Sequence, residues 1–164
     1  MGLSLIPQYQ QMHAQGKFPG LSVLKFADEI GAICTEYGIS TILDYGSGRG
    51  DQYLPPHSLD KRWGADVTMY DPAVAGIDWL PPDQFDLVLC SDVLEHVPLQ
   101  ELPALFENIF SRAKHRVFLT VCCRGAKKNL PNGQNAHVTI MPMDWWEAEI
   151  RKYATKPFIL RETP

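Results

Sequence analysis

Four stretches of the chain are apolar or β-branched enough to read as strands: "STILDYG" (40–46), "ADVTMYDP" (65–72), "FDLVLCSD" (85–92) and "HRVFLTVCC" (115–123). The third and fourth show no polar alternation, as expected of strands buried on both faces. Between them apolar positions recur every three or four residues. "LQELPALFENIFSRA" (99–113) and "MDWWEAEIRKYA" (143–154) read as amphipathic helices, the second with Asp144 as its cap. From Ser22, which can cap a helix, Val23, Phe26, Ala27, Ile30, Ile33, Cys34 and Tyr37 share one face, and Gly38 ends the run. "PFILRE" (157–162) is a last short strand, and "AVAGIDWL" (73–80) is a weak element. Pro55 and Pro56 end any helix that follows residue 50.

Strands alternating with helices predict an α/β fold, a doubly wound and mostly parallel sheet of Rossmann-like type. The chain reads as one domain over 1–164, with 1–21 an N-terminal arm or lid and 22–164 the core. In such a sheet, ligands bind beyond the carboxyl ends of the strands.

Composition changes this picture little. Hydrophobic residues make up 45% and charged residues 21%, as in an ordinary globular domain. A net charge of −4 argues against a nucleic-acid partner. No apolar run approaches the ~20 residues of a membrane span. The N-terminus lacks a signal peptide's pattern, and Ile6 stands where a myristoylation signal has Ser or Thr, so a cytoplasmic protein is expected. Cys34, Cys90, Cys122 and Cys123 form no metal or redox motif and read as reduced, structural cysteines; the five histidines match no zinc spacing, so no metal is expected.

The chemistry concentrates in "ILDYGSGRG" (42–50), which places Gly46, Gly48 and Gly50 directly behind a strand. Glycines there let a ligand approach the main chain. The spacing departs from the G-x-G-x-x-G of dinucleotide sites, and Asp44 would repel a pyrophosphate but attract an ammonium group. Asp71 ends the next strand, where a carboxylate can accept ribose hydroxyls. A ligand with an amino-acid cation and a ribose but no phosphate is S-adenosylmethionine.

On these residues the chain resembles the class I S-adenosylmethionine-dependent methyltransferases. "ILDYGSGRG" looks like their first motif and Asp71 like their ribose-binding acid. "QFDLVLCSDVLEHV" (84–97) is similar to the fourth-strand motif of the branch acting mostly on small molecules, and "VFLTV" to the fifth strand. The resemblance covers roughly residues 22–150. It implies that Asp44, Gly46, Ser47 and Gly48 surround the methionine part, that Asp78 or Trp79 reaches the adenine, and that Ser91 and Asp92 face the sulfonium. The proline-rich stretch after the glycines departs from the family's long helix. The chain also stops where a seventh strand would begin, leaving that strand in question.

Methyl transfer needs a positioned acceptor and, for a protonated hydroxyl or amine, a base. Asp92 is one candidate, with a turn-capping role as the alternative. His137, in the loop after the fifth strand, is the other, since imidazole titrates near neutrality. His96 reads as structural. Arg124, Lys127 and Lys128 either form a solvated face or hold an anionic group of the acceptor. Tyr9, Met12, His13 and Phe18 would line a lid if the arm closes. The reading is O- or N-methylation of a small, anionic molecule. A nucleic-acid or protein methyltransferase and a non-catalytic cofactor-binding module are the alternatives. "CSDV" replaces the D/N-P-P-Y/F of amino-methylating DNA enzymes, and no cysteine follows a proline as a C5 enzyme requires.

Overall fold

Successive side chains of a strand point to opposite faces, and this chain buries both. In β1 (Thr41–Tyr45) Ile42 packs with Ile30, Ile33 and Phe118, whereas Leu43 packs with Phe106 and Val117. β3 (Phe85–Ser91) divides in the same way, Leu87 and Leu89 to the first face and Val88 and Cys90 to the second. In β4 (Ala113–Val121) Phe118 faces opposite to Val117, Leu119 and Val121. Helices α2 (Ala27–Tyr37) and α3 (Leu59–Trp63) cover the first face; α4 (Leu102–Arg112) and α5 (Met143–Arg151) cover the second. Full burial of each such side chain contributes about 1.5–3 kcal/mol.

The computed structural model describes residues 3–164. The Met-Gly start, to which the myristoylation reading applies, lies outside them. Five strands form one parallel sheet in the order β2-β1-β3-β4-β5, with β2 spanning Asp66–Tyr70 and β5 spanning Phe158–Glu162. The α/β Rossmann-like expectation is met. The order reverses between β1 and β3, which opens a crevice at their carboxyl ends. No helix among the described residues is long and apolar enough to cross a membrane.

Several local expectations change. Ser22 caps nothing: Gly20, in a left-handed conformation, leads into a 3-10 turn over Leu21–Phe26 before α2 begins. Tyr37 lies outside the core, under the Arg116 guanidinium. "AVAGIDWL" forms turns and no strand: the Val74 N–H donates to the Asp71 carbonyl and the Ile77 N–H to the Val74 carbonyl, bonds that close turns. α5 follows Pro142, so Asp144 sits inside its first turn and accepts the Trp145 N–H. Cys122 and Cys123 come after β4 and are only half-buried, unlike Cys90. The arm is partly regular: α1 (Ile6–Ala14) packs Tyr9 and Met12 against Ala73, Leu130 and Ala136.

At the opposite end of the sheet, Asp86 ties β3 to the start of β1. Its Oδ2 accepts the Ser40 N–H at 3.0 Å, the Ser40 hydroxyl at 2.7 Å and the Thr41 N–H at 3.0 Å. Burial acts to raise its pKa, but these hydrogen bonds outweigh it and hold the carboxyl down to about 2. Asp86→Ala is expected to cost about 1–3 kcal/mol in urea unfolding at pH 7. Because the folded pKa is depressed, this stability is present above about pH 4 and is lost as pH falls through about 2. Variant and parent should therefore converge in acid; an equal gap at all pH values would remove the carboxylate from this role.

Candidate active site

A cavity of about 830 Å³ opens at the carboxyl ends of the strands, within the size range of small-ligand sites. Each strand delivers part of its wall. Gly46 and Gly48 follow β1, Asp71 follows β2, Ser91 and Asp92 close β3, Cys122 and Arg124 follow β4, and Thr163 follows β5.

The glycine loop needs its glycines on conformational grounds. Gly46 and Gly48 both have positive φ, and a Cβ on Gly48 would meet the Phe18 carbonyl oxygen at 2.5 Å. The arm's backbone thus lies directly on the loop, and the Arg49 N–H donates to that same Phe18 oxygen. Asp71 is clamped at the loop's other side. Its Oδ2 accepts the Gly48 N–H at 3.0 Å and its Oδ1 the Ala73 N–H at 2.9 Å. It is 1% exposed, and His13 of α1 brings Nε2 to 3.9 Å from Oδ2. Burial pushes the Asp71 carboxyl upward against these two hydrogen bonds, and burial pushes the His13 imidazole downward.

Asp44 lies behind the loop and does not line the cavity. Its Oδ2 accepts hydrogen bonds from Tyr53 (2.7 Å) and Gln52 (3.0 Å), and Gln52 also donates to the Ser47 carbonyl. The acid therefore braces the loop from beneath. Ser47 is buried, also without reaching the cavity. Asp78 and Trp79 are not brought there either; both are exposed, Trp79 by 70%, on the turns after Asp71.

Asp92 has a left-handed backbone (φ 54), uncommon outside glycine though least so for Asp and Asn. Thr120 holds it there. The Asp92 N–H donates to the Thr120 carbonyl and hydroxyl oxygens, while the Thr120 hydroxyl donates to Asp92 Oδ1 at 2.9 Å. Ser91 Oγ lies 2.9 Å from the same hydroxyl, and Thr163 also donates to Asp92 Oδ1.

His137, Arg124, Lys127 and Lys128 all line the cavity. His137 Nδ1 meets the Arg124 carbonyl oxygen, an acceptor only, so Nδ1 carries the proton and Nε2 keeps the lone pair. Arg124 donates to the Thr163 carbonyl at 3.3 Å. Lys128 Nζ stands 4.7 Å above the Phe18 ring, its pKa lowered by burial and by Lys17. His96 also lines the cavity; its Nδ1 donates to the Ala136 carbonyl at 2.8 Å, and burial, with His137 beside it, drives its pKa to about 3. Tyr9, Phe18, His96 and His137 form one edge-on ring cluster that joins the arm to the wall.

The sequence reading passed over Glu95, fully buried, whose Oε1 accepts the Cys122 N–H at 2.9 Å. Burial and nearby Asp92 raise its pKa to about 8. An acid inside the apolar run "VLEHV" was the available signal. Thr120, Thr163, Gln52 and Tyr53 carried none, because their roles arise only from tertiary packing.

The brace under the loop has a measurable pH signature. Burial raises the Asp44 carboxyl to about 6 despite the hydrogen bonds from Tyr53 and Gln52. A carboxyl that holds its proton more tightly when folded stabilises fully below about pH 4, and that contribution is lost as pH rises through about 6. Asp44→Asn keeps an acceptor for both donors and is expected to flatten the fall in stability between pH 4 and 6. Urea unfolding across that window, with an unchanged slope in the variant, would rule the assignment out.

Comparison with known proteins adds the family. Residues 19–156 match the model of a family described as a methyltransferase domain. No curated protein and no solved structure matches the chain significantly. The match spans most of the chain and contains the glycine loop, Asp71 and every lining residue of β3 and β4. The chain belongs to this methyltransferase-domain family and is a class I S-adenosylmethionine-dependent methyltransferase.

Proposed function

We propose that the cavity binds S-adenosylmethionine and methylates a small acceptor bearing an anionic group, with the arm closing over it as a lid. The observation that carries this reading is the pairing of Asp71 with the glycine loop. A carboxylate fixed by the Gly48 N–H suits ribose hydroxyls and disfavours a phosphate in the same place. The residues present fit the cofactor: Gly46, Gly48 and Asp71 line the cavity, and Ser91 and Asp92 stand at the end of the adjacent strand.

The bound cofactor supplies an activated methyl group on a sulfonium, which passes to the acceptor's lone pair as the carbon–sulfur bond breaks. This chain's part is to orient the acceptor and remove its proton. Lys127, Lys128 and Arg124 form the cationic rim that would hold the acceptor's anionic group. The proton passes to Asp92, set by Thr120 and Thr163, or to the free Nε2 of His137.

Transfer of labelled methyl groups to a panel of small carboxylates, phosphates and their neutral esters tests the reading. Anionic compounds should be the better acceptors. The double variant Lys127→Ala/Lys128→Ala should raise KM for them with little change in kcat. His137→Ala should leave cofactor affinity nearly intact and lower turnover about 10²–10⁴-fold. Equal use of neutral and anionic acceptors would sink the anionic assignment while leaving the methyltransferase itself in place.

A further inference from the structure

One cluster at the cavity wall has no part in cofactor binding. Glu95, in the short turn after β3, Cys122, just past β4, and His137, in the loop before α5, each bring one atom able to ligate a metal within 4.8 Å of the other two. From these positions we propose that Glu95, Cys122 and His137 form a binding site for a divalent cation of the zinc class, with a fourth coordination position open to the cavity.

Three independent features support the site. Glu95 is fully buried, and while its Oε1 takes the Cys122 N–H, its Oε2 has no hydrogen-bond partner. Buried carboxylate oxygens are normally satisfied, and a cation would satisfy this one. His137 carries the second feature. Metal-bound imidazoles almost always give their other ring N–H to a carbonyl or carboxylate, and Nδ1 of His137 is already held on the Arg124 carbonyl. The third is the donor set. One carboxylate, one thiolate and one imidazole suit zinc, whereas magnesium and calcium prefer oxygen alone.

The charges also balance, since a carboxylate and a thiolate together offset a divalent ion. Tetrahedral zinc at 2.0–2.3 Å from its ligands sets them about 3.3–3.8 Å apart. Drawing the three atoms together by up to about 1.5 Å is within the reach of the half-buried Cys122 and His137 side chains. Three protein ligands with one open position is the pattern of catalytic rather than structural zinc. Cys122 and His137 both line the cavity, so an oxygen of the acceptor is the natural fourth ligand. With the cation bound, the His137 lone pair is committed, and Asp92 remains to take the acceptor's proton. No metal spacing marks the sequence because the ligands come from three separate segments.

The proposal is tested on the untagged full chain, stripped of metal with a chelator and titrated with cobalt(II) in the absence of cofactor and acceptor. One equivalent should bind with a thiolate-to-cobalt charge-transfer band, and zinc should displace it. Cys122→Ser should abolish the band, Cys123→Ser should retain it, and His137→Ala and Glu95→Gln should each weaken binding at least about tenfold. No saturable binding below millimolar cobalt, or a band that persists in Cys122→Ser, would overturn the site. Should the Glu95 variant fail to fold, the two cysteine variants decide the matter alone. Because no methyl transfer is measured, failure here leaves the reading of the cavity as a methyltransferase site untouched.

Discussion

The carboxylate of Asp71 is the joint on which the cavity is built. Two backbone N–H groups clamp it, one from the glycine loop after β1 and one from the turn after β2. The clamp holds the end of β2 against the glycine loop after β1 and so fixes one wall of the cavity. A buried carboxylate is costly unless hydrogen-bonded, so both segments must keep their positions for the acid to remain there. The arm completes the arrangement by laying His13 beside it and Phe18 on the loop.

From that joint the remaining wall follows the sheet. Parallel strands deliver their carboxyl ends to one side, and the reversal of order between β1 and β3 leaves room between them. Thr120 then links β4 to β3 through Ser91 and Asp92, and Thr163 extends the link to the chain beyond β5. Asp71 lines the cavity on the β1–β2 side, Asp92 at the end of β3, and Arg124, Lys127 and Lys128 on the loop after β4.

Much of this was legible in the chain itself. "FDLVLCSD" and the middle of "HRVFLTVCC" read as strands buried on both faces because they are, and "ILDYGSGRG" announced the glycine loop at a strand end. Asp71 could be placed by its position behind a strand. Asp44 misled, since an acid before a glycine loop looks the same whether it meets a ligand or braces the loop through Gln52 and Tyr53. Asp78 and Trp79 were placed by the resemblance alone, on a weak element that is a run of turns over residues 73–80. The convergence of Glu95, Cys122 and His137 was invisible, because contacts between distant segments leave no periodicity.

Calorimetric titration with S-adenosylhomocysteine tests the central claim most directly, using the parent chain and Asp71→Ala after melting curves confirm that both are folded. The account predicts one-to-one binding to the parent. In the variant, loss of charge-assisted hydrogen bonds to the ribose, about 1.5–3 kcal/mol each, should weaken affinity at least tenfold. Absence of binding to the folded parent, or equal affinity in the two proteins, would contradict the account.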